Sequence, residues 1–229
     1  MALLGDGRDG AEDGVWAGYI ASQVVNSAAD IGVYPYIKHF VLNDQETNRC
    51  SLLQTYSDEQ AIREIYMKPF EICLKNFDIA GHKPLAVMSS FNFIGHIWSG
   101  ANPNLLNNVL RGEWGFQGMV LTDWNGSYGY QNTDDAIRNG NDIMLGFNSY
   151  PSNEITDTGS ATLVKALRQA SKNIMYTVGN SGAYTNQSSQ GGLDKMTTMF
   201  IGIDVCVGIV VAGIAAFLFF NYRKKNSKA

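Results

Sequence analysis

Gly118-Met119-Val120-Leu121-Thr122-Asp123-Trp124 is the stretch on which the reading of this chain turns. A short apolar run bounded by Gly predicts a strand buried on both faces, as in parallel sheets. The run ends in a carboxylate, so Asp123 falls at the C-terminal end of the strand. In barrel enzymes that end carries the catalytic groups. A carboxylate beside a large indole suits sugar chemistry. The oxygen attacks or stabilises an oxocarbenium-like centre, and the ring of Trp124 packs on the apolar face of a pyranose. The bland alternative is that Asp123 caps a turn through Asn125-Gly126.

Working outward, strands are expected near 33–37, 85–90, 119–122 and 142–145, alternating with helices, which is βα architecture. The spacing of Trp16, Tyr19, Ile20 and Val24 is helical over Val15–Ala29. The strand Gly32–Ile37 then delivers Lys38-His39-Phe40 to its C-terminal end. Ser57-Asp58-Glu59-Gln60 is a capping-box signature. It predicts a helix with Ile62, Ile65 and Tyr66 on one face, bent or ended near Pro69. Asn102-Pro103 is a second helix start, with Leu105, Leu106, Val109 and Leu110 buried and Gly112 at the end. A short helix over Asp134–Asn139 and an amphipathic one over Thr158–Val178 follow. Residues 180–198 are polar and aperiodic and read as a flexible linker.

Three strings together resemble glycoside hydrolase family 3, the β-glucosidase family. Leu110-Arg111-Gly112-Glu113-Trp114-Gly115-Phe116-Gln117 leading into Gly118–Trp124 is similar to its nucleophile segment. Lys38-His39-Phe40-Val41-Leu42-Asn43-Asp44-Gln45-Glu46 is similar to its K-H-F-x-x-N-x-Q-E motif. Val87-Met88-Ser89-Ser90-Phe91-Asn92 is similar to its V-M-x-S-Y-N motif, with Phe91 where the family has Tyr. Gly140–Gly146 is similar to the last strand of the family's barrel, Gly7-Arg8 with Glu12-Asp13 resemble a worn remnant of its G-R-x-x-E loop segment, and the resemblance covers about residues 5–182. It implies an α/β fold, a partial TIM-type (β/α) barrel of about four βα units. It implies Asp123 as nucleophile, with Lys38, His39, Met88 and Trp124 binding a β-glucoside or oligosaccharide. A cation and an imidazole facing vicinal hydroxyls fix ring orientation. The alternatives are a solvated Lys38, a core His39 and a plain core Met88. Arg49 is expected to brace its loop by pairing with Glu46 or Asp123.

The family's early barrel strands and the downstream domain that supplies the acid/base have no counterpart in these 229 residues. A retaining glycosidase needs that second carboxyl about 5–5.5 Å from the nucleophile. The expectation is therefore an incomplete hydrolase, its acid/base supplied by another segment or chain. The rival is an inactive remnant, at most a weak sugar binder.

Net charge is −4, which gives no support for nucleic-acid binding. Cys50, Cys73 and Cys206 lack metal-ligand spacing and are expected to be small buried hydrophobes, and with the three histidines they make no zinc motif. No cofactor is expected. No signal peptide is evident. Residues 199–220 are apolar but for Asp204, and the segment 199–221 is about long enough to span a bilayer. The basic residues of tail 222–229 then place the C-terminus in the cytoplasm and the barrel portion, 1–182, outside. A receptor-like membrane protein unrelated to sugar is the third reading, resting on that segment alone.

Overall fold

The computed structural model describes residues 13–75, 86–126, 128–146 and 154–185, with positions 202, 206–209 and 212–213. The chain forms two units, Met1–Thr185 and Asn186–Ala229. In the first, helix α1 (Gly14–Asp30) precedes strand β1 (Ile37–Phe40), and helices α2 (Glu59–Ala61) and α3 (Lys68–Lys75) precede β3 (Ala86–Ser89). A π-helix (Asn104–Glu113) leads to β6 (Met119–Trp124), helix α4 (Thr133–Arg138) to β7 (Ile143–Leu145), and helices α5 (Ala161–Gly179) and α6 (Gly182–Thr185) follow. The strands β1-β3-β6-β7 pair side by side in that order, all parallel.

The sheet has two different faces because side chains alternate along a strand. Ile37, Val87 and Val120 are fully buried in a core shared with Leu105, Leu106 and Leu110 of the π-helix and Phe70 and Leu74 of α3. The neighbours Met88 and Leu121, in register with one another, lie on the other face. That second face is the one that leads up to Asp123, two residues beyond Leu121.

Several expectations are corrected. The first strand begins where it was expected to end: Ile37–Phe40 pairs with β3, while residues 32–36 do not. Pro35 has no amide proton to give a ladder, and Gly32 takes φ 78° at the turn out of α1. Lys38 and His39 are therefore strand residues. Helix α1 forms, but its buried face is Ala17, Gly18, Ala21, Val25 and Ala29, and Trp16 is 61% exposed. Small residues win because α1 lies close against α3: a Cβ on Gly18 would stand 2.8 Å from the Ile72 Cβ. Tyr19 and Ile20 also face out. Asp58, not Ser57, caps α2 by accepting from the Ala61 amide at 2.8 Å. The next turn, Ile62–Tyr66, is π-wound, which leaves Ile65 60% exposed. Asn102 does cap its helix, accepting from Asn104 N at 3.1 Å, but the helix runs through Gly112 to Glu113. The positive φ falls at Gly115, and Phe116 N bonds back to Leu110 O at 3.1 Å.

Two further differences concern the ends of the unit. The first residues of the expected linker are ordered into α6, whose Gly182 amide bonds Gly32 O at 2.7 Å. A second small sheet was not anticipated: β2 (Gln54–Thr55), β4 (Phe93–Ile94) and β5 (Ile97–Trp98). Its strands are two residues long, too short to leave a periodic signature. Of the cysteines only Cys73 is buried, and Cys50 and Cys206 are exposed. The span expected at 199–221 lies almost wholly outside the described residues, and among those that are described no helix is long and apolar enough to cross a membrane.

Candidate active site

Parallel pairing brings the C-terminal ends of β1, β3 and β6 to one end of the sheet. Asp123 is the fifth residue of β6, and His39 the third of β1. The His39 Nε2 stands 3.3 Å from the Asp123 Oδ2, outside hydrogen-bonding alignment, with side-chain exposures of 10% and 12%. Asp123 Oδ1 accepts the amide proton of Trp124 at 2.6 Å. Asp123 Oδ2 is buried and has no hydrogen-bond donor among the described residues. The Asn125 amide, which a turn cap by Asp123 would engage, donates to Leu145 O instead. Lys38, Met88 and Trp124 are each half-buried around this end.

The loops that surround the pair are held by buried polar contacts. Asn92 Nδ2 donates to Val41 O at 3.2 Å and to Thr55 Oγ1 at 3.3 Å, and Ser90 Oγ donates to Val41 O at 3.1 Å. Trp98 Nε1 donates to Ser90 O at 3.1 Å. These bonds tie the exit of β1 to the exit of β3, so the small second sheet acts as a clamp on the loop after His39. Arg49 pairs with Glu46 at 3.0 Å, and its guanidinium also lies 4.6 Å from the centre of the Phe91 ring.

Side chains that the sequence reading passed over crowd the same end. Gly126 separates the Trp124 indole from Tyr128: a Cβ there would meet Trp124 Nε1 at 2.9 Å and the Tyr128 ring at 3.0 Å. Tyr128 meets Phe91 edge-on at 5.5 Å, and Tyr130 packs on Phe93 and Trp98. Burial pushes the Tyr130 phenol above its ordinary range, helped by the nearby Cys50, Tyr128 and Asp123. The aromatic spacing after Asp123 was the signal available for these residues.

Two cavities lie elsewhere. One of about 380 Å³ is bounded by Arg111, Asp142, Lys165 and Gln169, and one of about 310 Å³ by Gln45, Gln54 and Tyr56; neither is lined by Asp123 or His39. Among the described residues no group of three His, Cys, Asp or Glu is placed to hold a metal ion.

Residues 8–183 match the family described as the Glycosyl hydrolase family 3 N terminal domain. Beta-glucosidase B of Emericella nidulans is 41% identical over 135 residues, which are 59% of this chain and 15% of that protein. A probable beta-glucosidase J of Aspergillus fumigatus is 38% identical over the same shares. The structure of beta-glucosidase 3B from Thermotoga neapolitana in complex with glucose superposes with a TM-score of 0.65 at 30% identity, over 82% of this chain and 26% of that one. The GH3 beta-glucosidase of Bifidobacterium adolescentis gives 0.67 at 27% identity, over 80% and 26%. The chain thus spans about 15% of the length of the curated relatives it matches.

Proposed function

The chain belongs to glycosyl hydrolase family 3, and from that premise we propose that it carries the nucleophile half of a retaining β-glucosidase site. Asp123 Oδ2 attacks the anomeric carbon, the bond to the aglycone oxygen breaks, and that oxygen leaves with the electron pair. Lys38 and His39 donate to the hydroxyls of the sugar ring, while Met88 and Trp124 bound the pocket. The observation that carries this reading is the unsatisfied Oδ2 of Asp123, 3.3 Å from His39 at the C-terminal end of a parallel sheet. A carboxylate oxygen without donors keeps its lone pairs for a substrate carbon.

An ordinary glycoside also needs a proton on its leaving oxygen. We assign that acid to no described carboxyl and place it in another segment or chain. Activated aryl glucosides need the proton least. The expected result is that this chain turns over ordinary glucosides poorly, and a dinitrophenyl β-glucoside measurably, with loss of the second activity in Asp123→Asn. Brisk turnover of both would show that an acid is present or recruited. No reaction with either would favour the inactive, sugar-binding remnant.

The same proposal extends to location. Segment 199–221 would anchor the chain in a bilayer as a single pass, with tail 222–229 cytoplasmic and residues 1–182 outside. Protease protection on intact cells tests it: digestion of residues 1–182 only after lysis would sink this orientation.

A further inference from the structure

The mouth of the sheet carries more aromatic surface than the first sugar ring uses. Trp124 and Tyr128 flank Gly126, whose missing side chain is what allows the indole and the phenol ring to approach. Tyr128 is held from behind: its ring meets Phe91 edge-on at 5.5 Å and stacks on Tyr130 with centroids 6.4 Å apart at 25°. Tyr130 is itself fixed by Phe93, Trp98 and a contact of its hydroxyl with Phe91 O at 3.5 Å. The outermost member, Tyr128, remains 36% exposed. An exposed ring locked by two others presents a flat apolar face at little conformational cost. It sits on the loop that leaves β6 directly after Asp123.

We propose that Tyr128, backed by Tyr130 and Phe91, is a leaving-group platform that selects β-glucosides with a flat aromatic aglycone. The inference rests on the reading of Asp123 as the nucleophile, since it places the aglycone beside the bond that breaks. Offset stacking of the aglycone on Tyr128 adds binding that an alkyl glucoside lacks. Removal of the ring is expected to weaken an aryl glucoside about threefold to tenfold. An alkyl glucoside should be unaffected, because its sugar is held by Lys38 and His39.

The test is calorimetric titration of the full 229-residue chain in detergent with phenyl β-glucoside and with methyl β-glucoside. The wild type should prefer the phenyl compound. Tyr128→Ala and Tyr128→Leu should erase that preference, and Tyr128→Phe should keep it. Melting curves of the variants report whether each is folded, and Tyr128→Leu retains apolar bulk should Tyr128→Ala loosen the loop. Equal binding of the two glucosides by the wild type overturns the platform and leaves the sugar site standing. So does a preference that survives in folded Tyr128→Leu. Failure of either glucoside to bind overturns the sugar site and the platform with it.

Discussion

Two buried aspartates occupy opposite ends of the same sheet, and they are treated in opposite ways. Asp142, at the foot of β7, is saturated. Its Oδ2 accepts from Arg111 and from Val120 N, each at 2.7 Å, and its Oδ1 from Asn173 at 2.9 Å. Arg111 reaches on to Gly118 O and Gly140 O. Burial pushes the Asp142 carboxyl up and the Arg111 guanidinium down, and their mutual attraction opposes both shifts. Asp123, at the mouth, has one satisfied oxygen and one that is not. A carboxylate wrapped in donors ties elements together. One left with a bare oxygen costs stability and is free to bond to something else.

The contrast is most easily broken at the foot. Asp142→Asn leaves the Arg111 charge buried without its partner, which costs about 3–5 kcal/mol. Denaturant unfolding should show that loss. Asp123→Asn should instead leave stability within about 1 kcal/mol of wild type or raise it, because it removes a partly unsatisfied charge. Equal losses in the two variants would mean that both aspartates are structural.

A smaller effect is expected at Lys38. In a complete homologous enzyme, the matching Lys→Ala change should raise KM and lower kcat/KM together. The expected loss is about 1.5–3 kcal/mol, the worth of a charge-assisted bond made in both ground and transition states. Unchanged kinetics would return Lys38 to a solvated position.

The smallest effect lies away from both ends. Burial would raise the Asp134 carboxyl, but the Thr156 hydroxyl and the amides of Thr156 and Asp157 outweigh it and hold the group below its usual range. A depressed carboxyl contributes stability above its unfolded pKa and loses it as pH falls through the folded one. The wild type should therefore lose more stability than Asp134→Asn between about pH 5 and pH 1. The expected difference is about 1 kcal/mol. Parallel acid limbs would show that Asp134 does not tie down the 154–157 loop.

Legibility in the sequence followed the physics of each signal. The strand carrying Asp123 is a continuous apolar run bounded by Gly and buried on both faces, and such runs read clearly. The π-helix before it was read from its Leu and Val spacing, which survives the wider winding for a few turns. The covered face of α1 was not legible because helix spacing says which residues share a side, not which side is covered. There the close approach of α3 selected Gly and Ala over Trp16 and Tyr19. The small sheet is a tertiary product of short loops that no local periodicity announces, and for the Tyr128–Tyr130 stack the aromatic spacing after Asp123 was the one local signal. Asp142 was visible as a motif residue, but its bonds come from the π-helix, β6 and α5, which only folding brings together.

The bare oxygen of Asp123 carries the proposed chemistry. Incubation of the full chain with dinitrophenyl 2-deoxy-2-fluoro-β-glucoside, followed by peptide mass spectrometry, reads it directly. This substrate expels dinitrophenolate without a protonating acid, so the result does not depend on an acid/base carboxyl. The predicted result is a glycosyl ester on the peptide containing Asp123, absent in Asp123→Asn. An adduct on another residue, or none on a chain that binds the glucoside, would contradict it.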